Sequence, residues 1–136
     1  MISGIVENGK KLGRTIGFPT ANILADGDAH LPENGVYSAA IWLEDGDAPW
    51  PCMVNVGVHP TVPEGKPTIE AHILNFEGDI YGCRVKIEIA HFLRPERRFD
   101  GLDSLRAQLD ADRVATLGWA METIGRYRWK GLCSDR

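Results

Sequence analysis

The segment TIEAHIL, residues Thr68 to Leu74, alternates apolar and polar side chains along most of its length. Its apolar residues occupy every second position: Ile69, Ala71 and Ile73. A period of two is typical of a β-strand, in which successive side chains point to opposite faces of the sheet. The pattern therefore predicts a strand that carries Glu70 and His72 on one face.

Other segments are enriched in β-branched and aromatic residues, which favour strands. Clusters of Gly, Pro, Asn and Asp separate these segments. With the segment above extended to Phe76, the predicted strands are Ile2–Glu7, Val36–Leu43, Trp50–Val56, Thr68–Phe76 and Arg84–Phe92. Short strands with turns at this spacing indicate an antiparallel sandwich or a small barrel. We favour the barrel because it leaves no sheet edge to protect.

The composition is that of one globular domain, with 43% hydrophobic and 25% charged residues in a chain of 136. No apolar run approaches the roughly 20 residues that cross a bilayer, and no signal pattern opens the chain, so we expect a cytoplasmic protein without a membrane partner. Three cysteines without a C-x-x-C pair argue against a disulfide framework or a zinc site. A net charge of -4 argues against nucleic acid as a partner.

A helical pattern follows Asp100, where leucines recur at helical spacing: Leu102, Leu105 and Leu109. The Asp100 carboxylate can accept from free backbone N–H groups, which predicts an N-cap at this residue. We expect the helix to end near Leu117, because Gly118 interrupts the pattern. A second short helix is predicted to carry the apolar stripe as far as Ile124. Both helices are expected to cover an open end of the barrel.

The segment GRTIGFPTAN, Gly13 to Asn22, contains two glycines and a proline, which disfavour a regular strand or helix. Gly13 and Gly17 permit positive φ, and Pro19 biases the residue before it away from helix. Such a loop can turn several N–H groups toward an anion, and basic side chains lie nearby in sequence: Lys10, Lys11 and Arg14. The segment is therefore a candidate phosphate-binding loop, with a plain turn as the alternative.

Two oxygen-bearing side chains follow the proline of this segment. Thr20 and Asn22 are two residues apart, so they share a side if the chain is extended there. A hydroxyl and an amide oxygen can hold Mg²⁺ together with phosphate oxygens. No G-x-x-x-x-G-K-[ST] pattern occurs in the sequence, so a nucleotide site here is not a P-loop.

Glu70 is a candidate general base, because a carboxylate on a rigid strand is well placed to accept a proton from a substrate hydroxyl. The alternative is an ordinary strand face turned toward solvent, which commonly carries Glu and His. The histidines show no pair at metal-ligand spacing: His30, His59, His72 and His91. We therefore expect His72, like the others, to have no role in the site.

The segment FLRPERRFDGL, Phe92 to Leu102, is predicted to be a loop between the last strand and the helix, because Pro95 prevents regular pairing. It combines flat apolar rings with planar cations: Phe92, Phe99, Arg94, Arg97 and Arg98. An aromatic heterocycle can stack on such a set. A surface loop held by its two phenylalanines is an equal alternative.

In this order and spacing, these segments resemble riboflavin kinase (flavokinase), and in particular the kinase domain of bacterial bifunctional riboflavin kinase/FMN adenylyltransferase. The segment GRTIGFPTAN matches the pattern G-[RK]-x-x-G-[FIY]-P-T-A-N at every specified position. Further blocks also match: GVY at 35–37, NVGVHPT at 55–61, IEAHIL at 69–74, GDIYG at 78–82 and LRPERRFDGLDSLRAQLDAD from 93. The resemblance spans Ile2 to Leu117.

The resemblance implies a six-stranded antiparallel Greek-key β-barrel with a C-terminal α-helix, and transfer of the γ-phosphoryl group of ATP to the 5′-hydroxyl of riboflavin. Glu70 would be the catalytic base. ATP phosphates would be bound by the glycine-rich arch and the block after it: Gly9, Gly13, Arg14, Gly17, Pro19, Thr20 and Asn22. Thr20 and Asn22 would also ligate magnesium, and the loop containing Arg94 and Phe99 would close over the flavin.

The expected organisation is a barrel plus helix over residues 1–117 and an extension over 118–136 that packs on the barrel or trails from it. No H-x-G-H nucleotidyltransferase motif is present, so the resemblance implies a stand-alone kinase or a module excised from an FMN adenylyltransferase, without FAD synthesis. No obligate protein partner is indicated. The alternative function is a catalytically silent module that binds flavin and nucleotide for storage or regulation.

Overall fold

A computed structural model describes residues 1–7, 17–27, 29–44, 46–58 and 67–132. Three of the residues predicted to bind ATP phosphates, Gly9, Gly13 and Arg14, lie outside these ranges. The elements are β1 (Ile2–Glu7), β2 (Ala21–Ala25), β3 (Gly35–Leu43), β4 (Trp50–Val58), β5 (Pro67–Ile73), β6 (Arg84–Arg94) and α1 (Leu102–Glu122). In the described part of the chain, no helix has both the length and the apolar character to cross a membrane.

The six strands are antiparallel and close into a barrel in the order β1-β2-β5-β4-β3-β6. The meander β3-β4-β5 is flanked by β2 on one side and β6 on the other, which is a Greek-key arrangement. The prediction of a six-stranded Greek-key barrel with a C-terminal helix is thus confirmed.

Alternating side chains of the strands fill the barrel interior. Ile41, Val54, Ile69 and Ile87 are among the fully buried residues of this core. The interior of a barrel of this size is filled by its own side chains, so other elements of the chain pack on its outer wall.

Helix α1 lies against the outer faces of β3 and β4. Its Leu105, Leu109 and Leu117 pack on Met53, Leu74 and Phe18, forming a cluster separate from the barrel core. The prediction that the helix covers an open end of the barrel is therefore wrong. The physical reason lies in β3, which is buried along most of its length because its inner face meets the core and its outer face meets other elements.

The bounds of β3, β4, β5 and β6 differ from the predictions by one to three residues at one end or both. β2 was not predicted; it is only five residues long, with alanine at both ends, and it follows directly on the loop containing Pro19. β5 ends at Ile73 rather than Phe76, because Asn75 adopts a positive φ of 60°. β6 continues to Arg94, so this residue belongs to a strand and the loop begins at Pro95.

One helix replaces the two that were predicted. α1 runs without a break through Gly118, because burial of Thr116 and Ala120 on either side offsets the cost of about 1 kcal/mol for a glycine in a helix. The N-cap is Gly101 rather than Asp100, with no hydrogen bond from a capping side chain. The predicted boundary between residues 117 and 118 therefore lies inside α1.

The chain after α1 packs on the barrel wall. Tyr127 and Trp129 are buried together with Ala40 of β3 and Ala120 of α1. The Tyr127 hydroxyl donates to Glu88 Oε1 at 2.8 Å, and the backbone N–H of Lys130 donates to the Pro49 carbonyl at 2.8 Å. These contacts cover part of the outer wall that α1 leaves open.

A buried hydrogen bond joins the barrel to α1, and it gives a stability prediction. Ser38 Oγ and Thr116 Oγ1 lie 2.7 Å apart, and both residues are fully buried. Ser38→Ala should destabilise the fold by about 1 to 3 kcal/mol, because the Thr116 hydroxyl is left buried without its partner. Urea denaturation measures this change. The double variant Ser38→Ala/Thr116→Val should lose less than the sum of the single variants; strict additivity would contradict the coupling.

Candidate functional site

A cavity of about 350 Å³ lies between α1, the outer faces of β4 and β5, and the segment that follows β6. We call it the groove cavity. Its apolar wall includes Phe18, Met53, Phe99, Leu105 and Leu109. Its polar wall includes Thr20, Asn55, Glu70, His72 and Arg94. Helix α1 thus turns one side of the barrel wall into a partly enclosed site.

Sheet register brings Glu70 into a polar row across three strands. Glu70 on β5 is paired with Asn22 on β2 and with Asn55 on β4. Directly paired residues share a face of the sheet, with Cβ atoms about 5 Å apart. The structure therefore places Glu70 and Asn22, both predicted from sequence, next to each other, and it adds Asn55. Glu70 is half-buried at this position.

Thr20 lies where two cavities meet. It lines the groove cavity and also a second cavity of about 770 Å³. The second cavity is bounded by inward-facing residues such as Ala71 and Ile73 and by the segment 76–81. Pro19 lines this second cavity, whereas the preceding Phe18 lines the groove cavity. The segment from Phe18 to Thr20 therefore separates two spaces that could each hold a ligand.

His72 holds this dividing segment in place. Its Nδ1 lies 2.7 Å from the Pro19 carbonyl oxygen, and its ring lies 5.2 Å from the Phe18 ring. Burial lowers the pKa of His72; the Pro19 carbonyl raises it, and nearby Arg113 lowers it further. A neutral ring meets this geometry when Nδ1–H donates to the carbonyl.

The sequence predicts no role for His72 in the site, whereas its side chain lines the groove cavity. The available signal was its spacing of two from Glu70, which puts both side chains on the same face. A single strand pattern does not show that a helix will cover that face.

Arg94 and Phe99, the two residues predicted to face a flat ring, both line the groove cavity. The Arg94 guanidinium lies 5.7 Å from the Phe99 ring centroid, and that of Arg97 lies 4.7 Å from it. Phe92 does not join them, because it packs edge-on against Tyr37 at 5.4 Å. The alternative of a loop held by two phenylalanines therefore does not describe the segment.

Gly57 on β4 permits a close approach from the same segment. A Cβ atom built on Gly57 would lie 2.7 Å from Cδ of Glu96, so any larger residue there would require the Glu96 side chain to shift. Glu96 also lines the groove cavity. The segment between β6 and α1 thus reaches β4 through the Glu96 side chain, which lies beside Gly57.

The donor atoms near Thr20 fit a hard cation shared with a ligand. Thr20 supplies a hydroxyl and Asn22 an amide oxygen that is shielded from solvent. In the ranges that the structure describes, no group of three or more His, Cys, Asp or Glu side chains could hold a metal ion alone. Mg²⁺ is commonly bound by one or two protein oxygens plus phosphate oxygens, so these residues suit a nucleotide-bound Mg²⁺.

Comparison with protein families gives a match over residues 1–119 to the model described as "Flavokinase: Riboflavin kinase". The bifunctional riboflavin kinase/FMN adenylyltransferase of Pseudomonas fluorescens is 38% identical over 126 residues, which cover 92% of this chain and 40% of that protein. The RNA-binding riboflavin kinase RibR of Bacillus subtilis (strain 168) is 38% identical over 126 residues, covering 92% and 53% respectively. The chain thus spans about half or less of these curated relatives.

Among solved structures, the riboflavin kinase from Trypanosoma brucei superposes with a TM-score of 0.64, covering 93% of this chain and 85% of that one. The sequence identity in this comparison is 23%, so the likeness concerns the fold.

Proposed function

Because this chain belongs to the riboflavin kinase (flavokinase) family, we propose that it transfers the γ-phosphoryl group of Mg-ATP to the 5′-hydroxyl of riboflavin, giving FMN and ADP. The observation that supports this most is the position of Thr20 at the junction of two cavities, one of which Glu70 also lines. Phosphoryl transfer requires the nucleotide phosphates and the acceptor hydroxyl to meet in line at one point.

Riboflavin would occupy the groove cavity. A volume of about 350 Å³ is at the lower end of the range for small-molecule sites, and the apolar wall suits a flat ring. Phe99 offers an aromatic face on one side, and Met53 and Leu109 offer aliphatic surface. The hydroxyl-bearing chain of riboflavin would then extend toward the polar row of Asn55 and Glu70.

Glu70 would act as the general base toward the 5′-hydroxyl. Glu70 lies on β5, which is paired with a strand on each side, so the movement of its carboxylate relative to the substrate is limited. A positioned carboxylate accepts the hydroxyl proton as the oxygen–phosphorus bond forms. The phosphoryl group leaves ADP in the same step.

ATP would occupy the second cavity, with its phosphates directed toward Thr20. Gly17, whose φ is 89°, and Pro19 lead into this position, and the predicted phosphate contacts of Gly9, Gly13 and Arg14 belong to the same proposal. Mg²⁺, held by Thr20 Oγ1 and Asn22 Oδ1 together with phosphate oxygens, would neutralise charge on the transferred group. The protein's own task is to fix these two oxygens beside Glu70.

The proposal includes riboflavin and ATP as ligands and a cytoplasmic location, where ATP is abundant. The Pseudomonas fluorescens relative is named as bifunctional, so an FMN adenylyltransferase domain is the natural companion of this module. One relative is named as RNA-binding, whereas the net charge of -4 of this chain offers little attraction to RNA. We therefore propose no nucleic-acid partner for these residues.

The proposal is tested by incubating the chain with riboflavin and Mg-ATP and separating the flavins by fluorescence-detected chromatography. The expected product is FMN without FAD. Riboflavin that is bound but returned unchanged would replace the kinase with the silent binding module. Riboflavin that is neither bound nor converted by folded protein would overturn both.

His72 gives a further prediction within this function. His72→Leu should lower kcat/KM for ATP about tenfold, because the loss of one hydrogen bond to Pro19 frees the segment that carries Thr20. His72→Asn can still present an N–H near the position of Nδ1, so it should retain more activity than His72→Leu. Steady-state kinetics with ATP varied measures both; equal activity in the two variants would exclude the hydrogen bond as the cause.

A further inference from the structure

A buried ion pair supports the segment that walls the groove cavity. The Arg94 guanidinium donates three hydrogen bonds to the Asp112 carboxylate, from Nε at 3.1 Å to each oxygen and from Nη2 at 2.9 Å to Oδ2. The side chains are only 15% and 4% exposed. Asp112 lies in the middle of α1, whereas Arg94 ends β6, so the pair joins helix to barrel.

The pair extends to a second arginine through Gln108. The Gln108 Nε2 group donates to Asp112 Oδ1 at 2.9 Å, and Arg97 Nη1 donates to Gln108 Oε1 at 3.1 Å. Both arginines lie within 6 Å of the Phe99 ring centroid, at 5.7 and 4.7 Å. One carboxylate thus fixes, directly or through one amide, the two cations that flank Phe99.

A contribution to the stability of the fold is a weak explanation for the buried ion pair between Arg94 and Asp112. Removing two charges from water costs much of what their attraction returns, and apolar residues of similar volume often serve as well. A bidentate guanidinium–carboxylate contact does supply fixed geometry. The Asp112 side chain fixes the position of residues that line the groove cavity: Arg94 directly, Arg97 through Gln108, and Phe99 through its contacts with both arginines.

We propose that Asp112 is a positioning residue for riboflavin: it holds Arg94 and, through Gln108, Arg97, so that Phe99 forms the wall of the groove cavity before the flavin enters. This inference rests on the proposed function. A wall that is already ordered spares the ligand the cost of ordering it, which appears as tighter binding. Asp112 acts on riboflavin affinity and leaves the phosphoryl-transfer step, at Glu70 and Thr20, unchanged.

The test uses Asp112→Asn, which keeps the shape and removes the charge. Riboflavin Kd, from fluorescence titration, and riboflavin KM should both rise about 10- to 100-fold, the loss typical of a misplaced contact surface. The kcat at saturating riboflavin and the KM for ATP should stay within about twofold of wild type. Asp26→Asn is the control, because it removes an exposed ion pair with Arg84 outside the groove cavity.

Gln108→Met provides a second variant that keeps the Arg94–Asp112 ion pair and removes the amide through which Asp112 holds Arg97. Its riboflavin Kd should rise two- to tenfold, as expected for one hydrogen bond. If Asp112→Asn does not fold, the riboflavin affinity of Gln108→Met tests the positioning role in its place. Unchanged riboflavin affinity in the folded variant, or equal effects on riboflavin and ATP, would overturn the positioning role.

The same titration separates this inference from the proposed function. Wild-type protein that forms FMN, together with variants of unchanged riboflavin affinity, would overturn the role of Asp112 alone. Wild-type protein that neither binds nor phosphorylates riboflavin would overturn the proposed function.

Discussion

Glu70→Gln should lower turnover by roughly 10²-fold or more, because an amide cannot accept the proton of the 5′-hydroxyl as a carboxylate does. Glutamine has nearly the same size and can keep the position on β5, between Asn22 and Asn55. The measurement is the steady-state rate of FMN formation with riboflavin and ATP both saturating. Circular dichroism and thermal unfolding should show a fold like that of wild type.

The matched control is Glu122→Gln, which neutralises an exposed carboxylate at the end of α1. It should turn over riboflavin at the wild-type rate. If Glu70→Gln also kept near-normal turnover, Glu70 would not be the base, and proton transfer to solvent or to a phosphate oxygen would have to replace it.

Thr20→Ala should abolish the magnesium-dependent binding of ATP. The hydroxyl of Thr20 is a proposed direct ligand, so its loss should exceed the roughly 10- to 100-fold effect of losing an outer-shell partner. Isothermal titration of ATP in the presence and absence of Mg²⁺ measures the difference. Thr20→Ser keeps the hydroxyl and should keep most of the affinity.

Unchanged magnesium-dependent binding in Thr20→Ala would assign the role to other groups. Weaker binding by the same factor with and without Mg²⁺ would indicate that Thr20 contacts the nucleotide and not the metal. The two Thr20 variants therefore separate metal ligation from simple packing beside Pro19.

Much of the barrel could be predicted from local sequence. β1 has its predicted bounds, and β3, β4 and β6 begin or end within two residues of them, because β-branched and aromatic runs between turn clusters are local signals. β2 escaped prediction because it begins at Ala21, inside a segment whose glycines and proline indicate a loop. The continuity of α1 through Gly118 depends on burial of Thr116 and Ala120, which a helical pattern alone does not reveal.

Candidate site residues could be identified from sequence only where a local pattern carries them. Thr20 and Asn22 belong to one motif, and Glu70 stands out as a carboxylate on a strand. Asn55 and Asp112 reach the site or its support through strand pairing and helix packing, which are long-range contacts. For the same reason His72 looked like a surface residue until α1 was seen to cover its face of the barrel wall.

In the proposed function, riboflavin and the nucleotide lie on opposite sides of Thr20 and meet at Glu70. A crystal structure of the chain with FMN and Mg-ADP tests it most directly. We predict the flavin ring in the groove cavity against Phe99, its phosphate beside Glu70 and Thr20, and ADP in the second cavity. A flavin bound outside the groove cavity, or a phosphate far from Glu70, would contradict this arrangement of the two substrates.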